Sequence, residues 1–264
     1  MARRGEFSHW LRRAGRVGAI ALLFLAGACA SDDEAVYEER PVDELYNEAL
    51  DAMEAGNFAT ASTLFDEVER QHPYSPWATK AQLMAAYAFY QGKQYDEAVA
   101  ALDRFVQLHP ANPDVPYAHY MKGLCYYEQI SDVNRDQEMT ELARQSFEEL
   151  VSRYPNSEYS RDGKIKLDLI YDHLAGKEMT IGRYYLRQGH YLASINRFKR
   201  VIDLYQTTTH VPEALHRLVE AYSALGLHEE AKKMAAVLGY NFPGSEWYTD
   251  SYDLIAEHST ASLK

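Results

Sequence analysis

The sequence predicts an all-α fold built as a solenoid of about five helix pairs, and three observations predict it. One helix spacing occurs five times: a small residue, an apolar residue four later, another three later, then usually Pro. It reads Ala61, Phe65, Val68, Pro73; Ala98, Leu102, Phe105, Pro110; and Ala143, Phe147, Leu150, Pro155. It returns as Ser194, Phe198, Val201 with Gln206, and as Ala231, Ala235, Leu238, Pro243. The residues that open these units, Phe58, Tyr95, Thr140, Tyr191 and His228, are offset by 37, 45, 51 and 37. Self-similarity at such a period marks stacked helix pairs, each needing its neighbours to bury its apolar face. A second apolar helical run precedes each unit, in most cases closed by a Gly-containing turn.

The elements follow in order. Residues 1–28 read as a secretory leader: Arg3, Arg4, Arg12, Arg13 and Arg16 precede an apolar stretch from Val17 to Ala28, too short to span a membrane comfortably. Small residues Ala26, Gly27 and Ala28 before Cys29 resemble the bacterial lipobox, although Leu25 stands one place earlier than Leu usually does. That resemblance implies cleavage before Cys29 and lipidation of its thiol, with palmitate among the acyl chains; ordinary signal cleavage nearby is the alternative. One acyl chain holds a protein reversibly, whereas two or three hold it firmly. Residues 29–41 are acidic, have little to bury and read as a flexible tether.

The solenoid spans 42–258. Its first pair runs through Leu45, Ala49, Ala52 and Met53 to Gly56, then from Phe58 to His72, where Pro73 ends the helix. The second runs from Trp77 to Gln91 and from Tyr95 to His109. The third starts near Pro116, with Gly123 where the first two pairs have Ala49 and Ala86, and a polar loop around Ser131–Glu138 interrupts it. A longer insertion precedes the fourth unit. There Ser160–Leu174 and Lys177–Gln188 are expected as one long bent helix or two short ones, with Ile165, Leu169 and Ile170 as the apolar positions. The fifth pair covers Pro212–Leu225 and His228–Tyr240, and Trp247–Ile255 is expected to cap the last apolar face. Residues 259–264 are expected to be a disordered tail.

Composition excludes several function classes. Net charge is −12, and from Cys29 onward 22 basic side chains stand against 38 acidic ones, which repels nucleic acid. Of the two cysteines, Cys125 has no partner if Cys29 carries lipid, so it is expected in the core. No HExxH, GxSxG, paired CxxC or phosphate-binding loop is present. Asp132, Asn134 and Asp136 lack the central Gly and terminal Glu of a calcium loop. No catalytic residue, metal or cofactor is expected; the chain is expected to hold other proteins.

The repeated spacing resembles the tetratricopeptide repeat, which implies a right-handed superhelix. The whole resembles the BamD family, lipoproteins of the outer-membrane β-barrel assembly machine. The resemblance rests on Arg153 to Tyr159 closing the third repeat, on Arg183, Tyr184, Tyr185 and Gly189 leading to Asn196 and Arg197 in the fourth, and on Asn134 to Gln137. It implies a non-enzymatic scaffold anchored through Cys29 on the periplasmic face of the outer membrane. The implied partners are the POTRA domains of BamA, other Bam lipoproteins and unfolded outer-membrane β-barrel proteins. It assigns Arg197, Asn196, Tyr184 and Tyr185 to the BamA side. For substrate, the N-terminal groove is expected to use His72, Tyr74, Trp77, Tyr87, Tyr90 and Tyr120, with Tyr117, Tyr126 and Tyr127 nearby, because tyrosine offers flat apolar area with a polar rim. The family usually has Tyr where His72 stands. A periplasmic adaptor linking division or peptidoglycan machinery to the outer membrane is the alternative function.

Overall fold

The computed structural model describes residues 39–261. The leader, Cys29, most of the tether and residues 262–264 lie outside them. Among the described residues every regular element is a helix: α1 (Val42–Glu54), α2 (Phe58–Gln71), α3 (Pro76–Gln91), α4 (Tyr95–Leu108), α5 (Val115–Tyr127), α6 (Glu138–Arg153), α7 (Glu158–Arg187), α8 (Tyr191–Leu204), α9 (Val211–Ala224), α10 (His228–Asn241) and α11 (Glu246–Ala261). Odd-numbered helices are the first members of pairs and even-numbered ones the second, with α11 closing the stack.

The repeated spacing is a packing code. Ala61, Ala98, Ala143, Ser194 and Ala231 are buried, as are the two apolar residues that follow each of them. The facing position on the first helix adjusts in volume. A β-carbon on Gly123 would stand 2.6 Å from Phe147 Cε1, and one on Gly182 would stand 2.4 Å from Phe198 Cε1. In the fifth pair the sizes are exchanged, with Val219 and Ala235 in one core cluster. Turns within pairs place Gly56, Gly189 and Gly226 at positive φ, and Lys93 takes that position in the second pair.

The 51-residue offset resolves into one helix. α7 is 30 residues long and passes unbroken through Ala175 and Gly176. Gly176 serves close packing: a β-carbon there would meet His210 Nε2 at 3.3 Å. The offset exceeds the regular 37-residue period by 14 residues, close to four helical turns, so both halves of α7 keep compatible faces. The first half presses Gly163, Leu167 and Ile170 on α6, and the second presses Met179 and Gly182 on α8. Ile165 and Leu169, expected among the apolar positions, are exposed; only Ile170 of the three is core. At mid-helix, Asp172 Oδ1 accepts from Thr209 N and Oγ1 at 3.1 and 2.8 Å, and Lys177 Nζ donates to Arg135 O at 3.0 Å. The interrupting loop therefore folds onto the inserted helix.

The closing helix is longer than the Trp247–Ile255 expected, running to Ala261 and past the expected solenoid boundary at 258. Cys125 is buried, and burial pushes its thiol up to about 12, which keeps it protonated and unreactive. Among the described residues no helix is long and apolar enough to cross a membrane.

Candidate protein-interaction site

Three surfaces come from this scaffold. The first is the corner between α2 and α3. Pro73 ends α2, and Ser75 caps α3 by accepting the amide of Trp77 at 3.2 Å. This throws Tyr74 wholly into solvent, 99% exposed. Trp77 is 39% exposed and packs edge-on against Tyr46, ring centroids 4.8 Å apart. His72, the residue just after α2, receives the amide of Ser75 on its carbonyl.

The second is a ladder of tyrosines across α3, α5 and α7. Tyr87 and Tyr90 stack at 6.5 Å, and Tyr90 meets Tyr95 at 5.9 Å. Tyr117 and Tyr120 both reach Tyr159, at 5.2 and 5.7 Å. Each of Tyr87, Tyr90, Tyr117 and Tyr120 is half-buried, so a ring wall faces the core while an edge stays accessible. Tyr120 Oη donates to Asp162 at 2.5 Å, and Gln91 Nε2 donates to Tyr87 Oη at 2.6 Å. Burial pushes Tyr90 and Tyr117 up to about 12. Tyr120 is raised by burial and then by its bond to Asp162. All three are neutral phenols at physiological pH.

The structure thus separates the expected groove residues into two groups. Tyr87, Tyr90 and Tyr120 belong to the ladder. His72, Tyr74 and Trp77 form the corner, with Trp77 about 15 Å before Tyr87 along α3. Sequence reasoning missed Tyr159, the ring that carries the ladder onto α7. It lies in a segment already notable for its resemblance, but no periodicity reveals which rings touch.

The third surface is the α7–α8 hairpin. Tyr184 is 54% exposed and contacts Tyr185 at 5.8 Å, and Tyr185 contacts His190 at 6.3 Å. Asn196 is exposed on α8, while Arg197 turns inward to Glu178, Nη1 to Oε2 at 3.1 Å. Glu178, almost buried, also receives Arg200 Nε on Oε1 at 3.3 Å. Arg197 is therefore an engaged cation with about a third of its side chain exposed. Beside it, α6 and α8 stand apart and leave a cleft of about 640 Å³. Arg144, Glu148, Tyr171, Arg200 and Tyr205 are among its walls. The inserted turns of α7 make this cleft, and no local motif announces it.

Two kinds of known protein resemble the chain. The family model YfiO, described as outer membrane lipoprotein, matches residues 38–238. The outer membrane protein assembly factor BamD of Caulobacter vibrioides is 52% identical over 250 residues, 94% of this chain and 82% of its own. BamD of Rickettsia prowazekii is 47% identical over 232 residues, covering 88% of this chain and 92% of its own. Among solved structures, the TPR2AB domain of yeast Sti1 in complex with pHSP90 is similar at TM-score 0.42 and 13% identity, covering 84% of each chain. That likeness is too loose to bear on function.

Proposed function

We propose that this chain, which belongs to the BamD family of outer membrane protein assembly factors, is a non-enzymatic scaffold on the periplasmic face of the outer membrane. Lipid on Cys29 holds it there. The α7–α8 hairpin, through Arg197, Asn196, Tyr184 and Tyr185, docks on the POTRA domains of BamA. The tyrosine ladder and the α2–α3 corner receive unfolded β-barrel segments, and other Bam lipoproteins join the assembly.

The observation that carries the reading is the ladder: half-buried rings on three successive first helices. Such a wall suits an extended chain whose alternate side chains are apolar or aromatic, because rings supply contact area at low entropic cost. A barrel strand has that alternation. The docking half rests on Arg197, whose fork can grip a carboxylate bidentately.

Two binding measurements test it on the full, lipidated chain in detergent. The purified POTRA domains should bind the wild type, and Arg197→Gln should weaken that binding about tenfold with a melting curve close to wild type, because Arg200 still neutralises Glu178. A peptide copying one barrel strand should crosslink to Tyr120 or Tyr159 positions substituted with a photoreactive residue. A wild-type chain that binds neither probe sinks the proposal.

A further inference from the structure

Glu178 has more cation than it needs. Its carboxylate is 10% exposed, and each oxygen takes its own arginine, Oε2 from Arg197 and Oε1 from Arg200. A buried carboxylate with no cation is strongly unfavourable, but the loss of one of two leaves it compensated. The three groups together carry one net positive charge. Arg197 and Arg200 lie one turn apart on α8. Arg200 is the more exposed, at 53%, and stands on the walls of both the large cleft and a smaller one of about 330 Å³ that also includes Glu178 and Tyr205. Its guanidinium has open space around it and does not need to leave Glu178 when Arg197 does.

We infer that Glu178 and Arg200 are positioning residues that set the availability of Arg197. In the free protein Glu178 holds both arginines. When a protein partner presents an Asp or Glu carboxylate, Arg197 turns outward to it and Arg200 alone neutralises Glu178. Glu178 is the brake and Arg200 releases it. This rests on the reading above in which Arg197 faces the docking partner, and it adds two residues that need not touch that partner.

The test is a double-mutant cycle on the full, lipidated chain, read as affinity for the POTRA domains, with thermal melts as the folding control. Arg200→Gln should bind about tenfold more weakly, because Glu178 then retains Arg197. Glu178→Gln in that background should return affinity to within about twofold of wild type. Arg200→Lys should stay near wild type, since a lysine still supplies the second cation. Equal weakness of Arg200→Gln and the double variant would show direct contact by Arg200 and overturn the inference. So would wild-type affinity for Arg200→Gln alongside a weakened Arg197→Gln. If Arg197→Gln itself binds normally, the docking reading falls first and the positioning role falls with it.

Discussion

Gly182 on α7 lies under the ring of Phe198 on α8, so closely that a β-carbon would sit 2.4 Å from Cε1. Val219 occupies the matching position 37 residues on and shares a core cluster with Ala235 rather than with a ring. The pair positions conserve volume, not residue type. Gly182→Val should therefore destabilise the chain by about 2–3 kcal/mol through overpacking, and Phe198→Ala by about 3–5 kcal/mol through a cavity. The double variant, which copies the fifth pair, should recover more than half of the summed loss. Urea unfolding of the chain without its leader would show this, and additive losses would refute the exchange.

The ladder makes a sharper claim about binding than about folding. Tyr120→Phe removes only the bond to Asp162, whereas Tyr120→Ala also removes the ring that spans α5 and α7. Peptide affinity should fall less than threefold for Phe and about tenfold or more for Ala, as expected where aromatic area dominates. Tyr74→Ala should leave the melting temperature unchanged, because the side chain is wholly in solvent. Its effect on the same peptide would reveal whether the corner and the ladder serve one ligand.

How much of this was legible in the sequence depended on distance along the chain. The small–large–large spacing fixes which side of each second helix is buried, and every one of those positions is core. Gly176 left one long helix and two short ones both open, because a glycine after alanine resembles a helix break; in the single long helix it makes room for His210 on the next pair. Ile165 and Leu169 look like core, but the half of α7 that carries them has a neighbour on one side only. The α6–α8 cleft was invisible for a related reason: it depends on how four extra turns displace α8 from α6, which no window of sequence contains. Glu178 and Arg200 meet across the α7–α8 hairpin, a contact that no repeated spacing marks.

His119 gives a pH signature. It is buried on α5 with Nε2 unpartnered and its ring 5.6 Å from Tyr154. Burial holds its pKa below the ordinary 6.5, against an opposing pull from Glu149. The unfolded imidazole therefore takes up a proton near pH 6.5 that the folded one resists. Its contribution is fully present above that value and declines as pH falls below it, at most about 1.4 kcal/mol per pH unit. His119→Phe should flatten the stability-versus-pH slope between about pH 6.5 and 5.5 relative to wild type. Parallel slopes in denaturant titrations would remove His119 from the account.

The closing helix is latched rather than merely apposed. His216 Nδ1 lies 2.8 Å from Ser251 Oγ, and that hydroxyl donates to Trp247 O at 2.8 Å. The indole in turn lies 5.3 Å from His216 and under the Arg217 guanidinium at 5.3 Å. Tyr248 fills the space over Gly239, where a β-carbon would come within 2.5 Å of its ring. Trp247→Ala removes the centre of this cluster and should cost about 3 kcal/mol. In a solenoid each pair is coupled to its neighbours, so the loss should be local. Hydrogen exchange should show amides of α9 and α10 losing protection while those of α1 to α4 keep theirs. Uniform loss along the chain would mean that the stack unfolds as one unit, and the latch would then be a determinant of global stability.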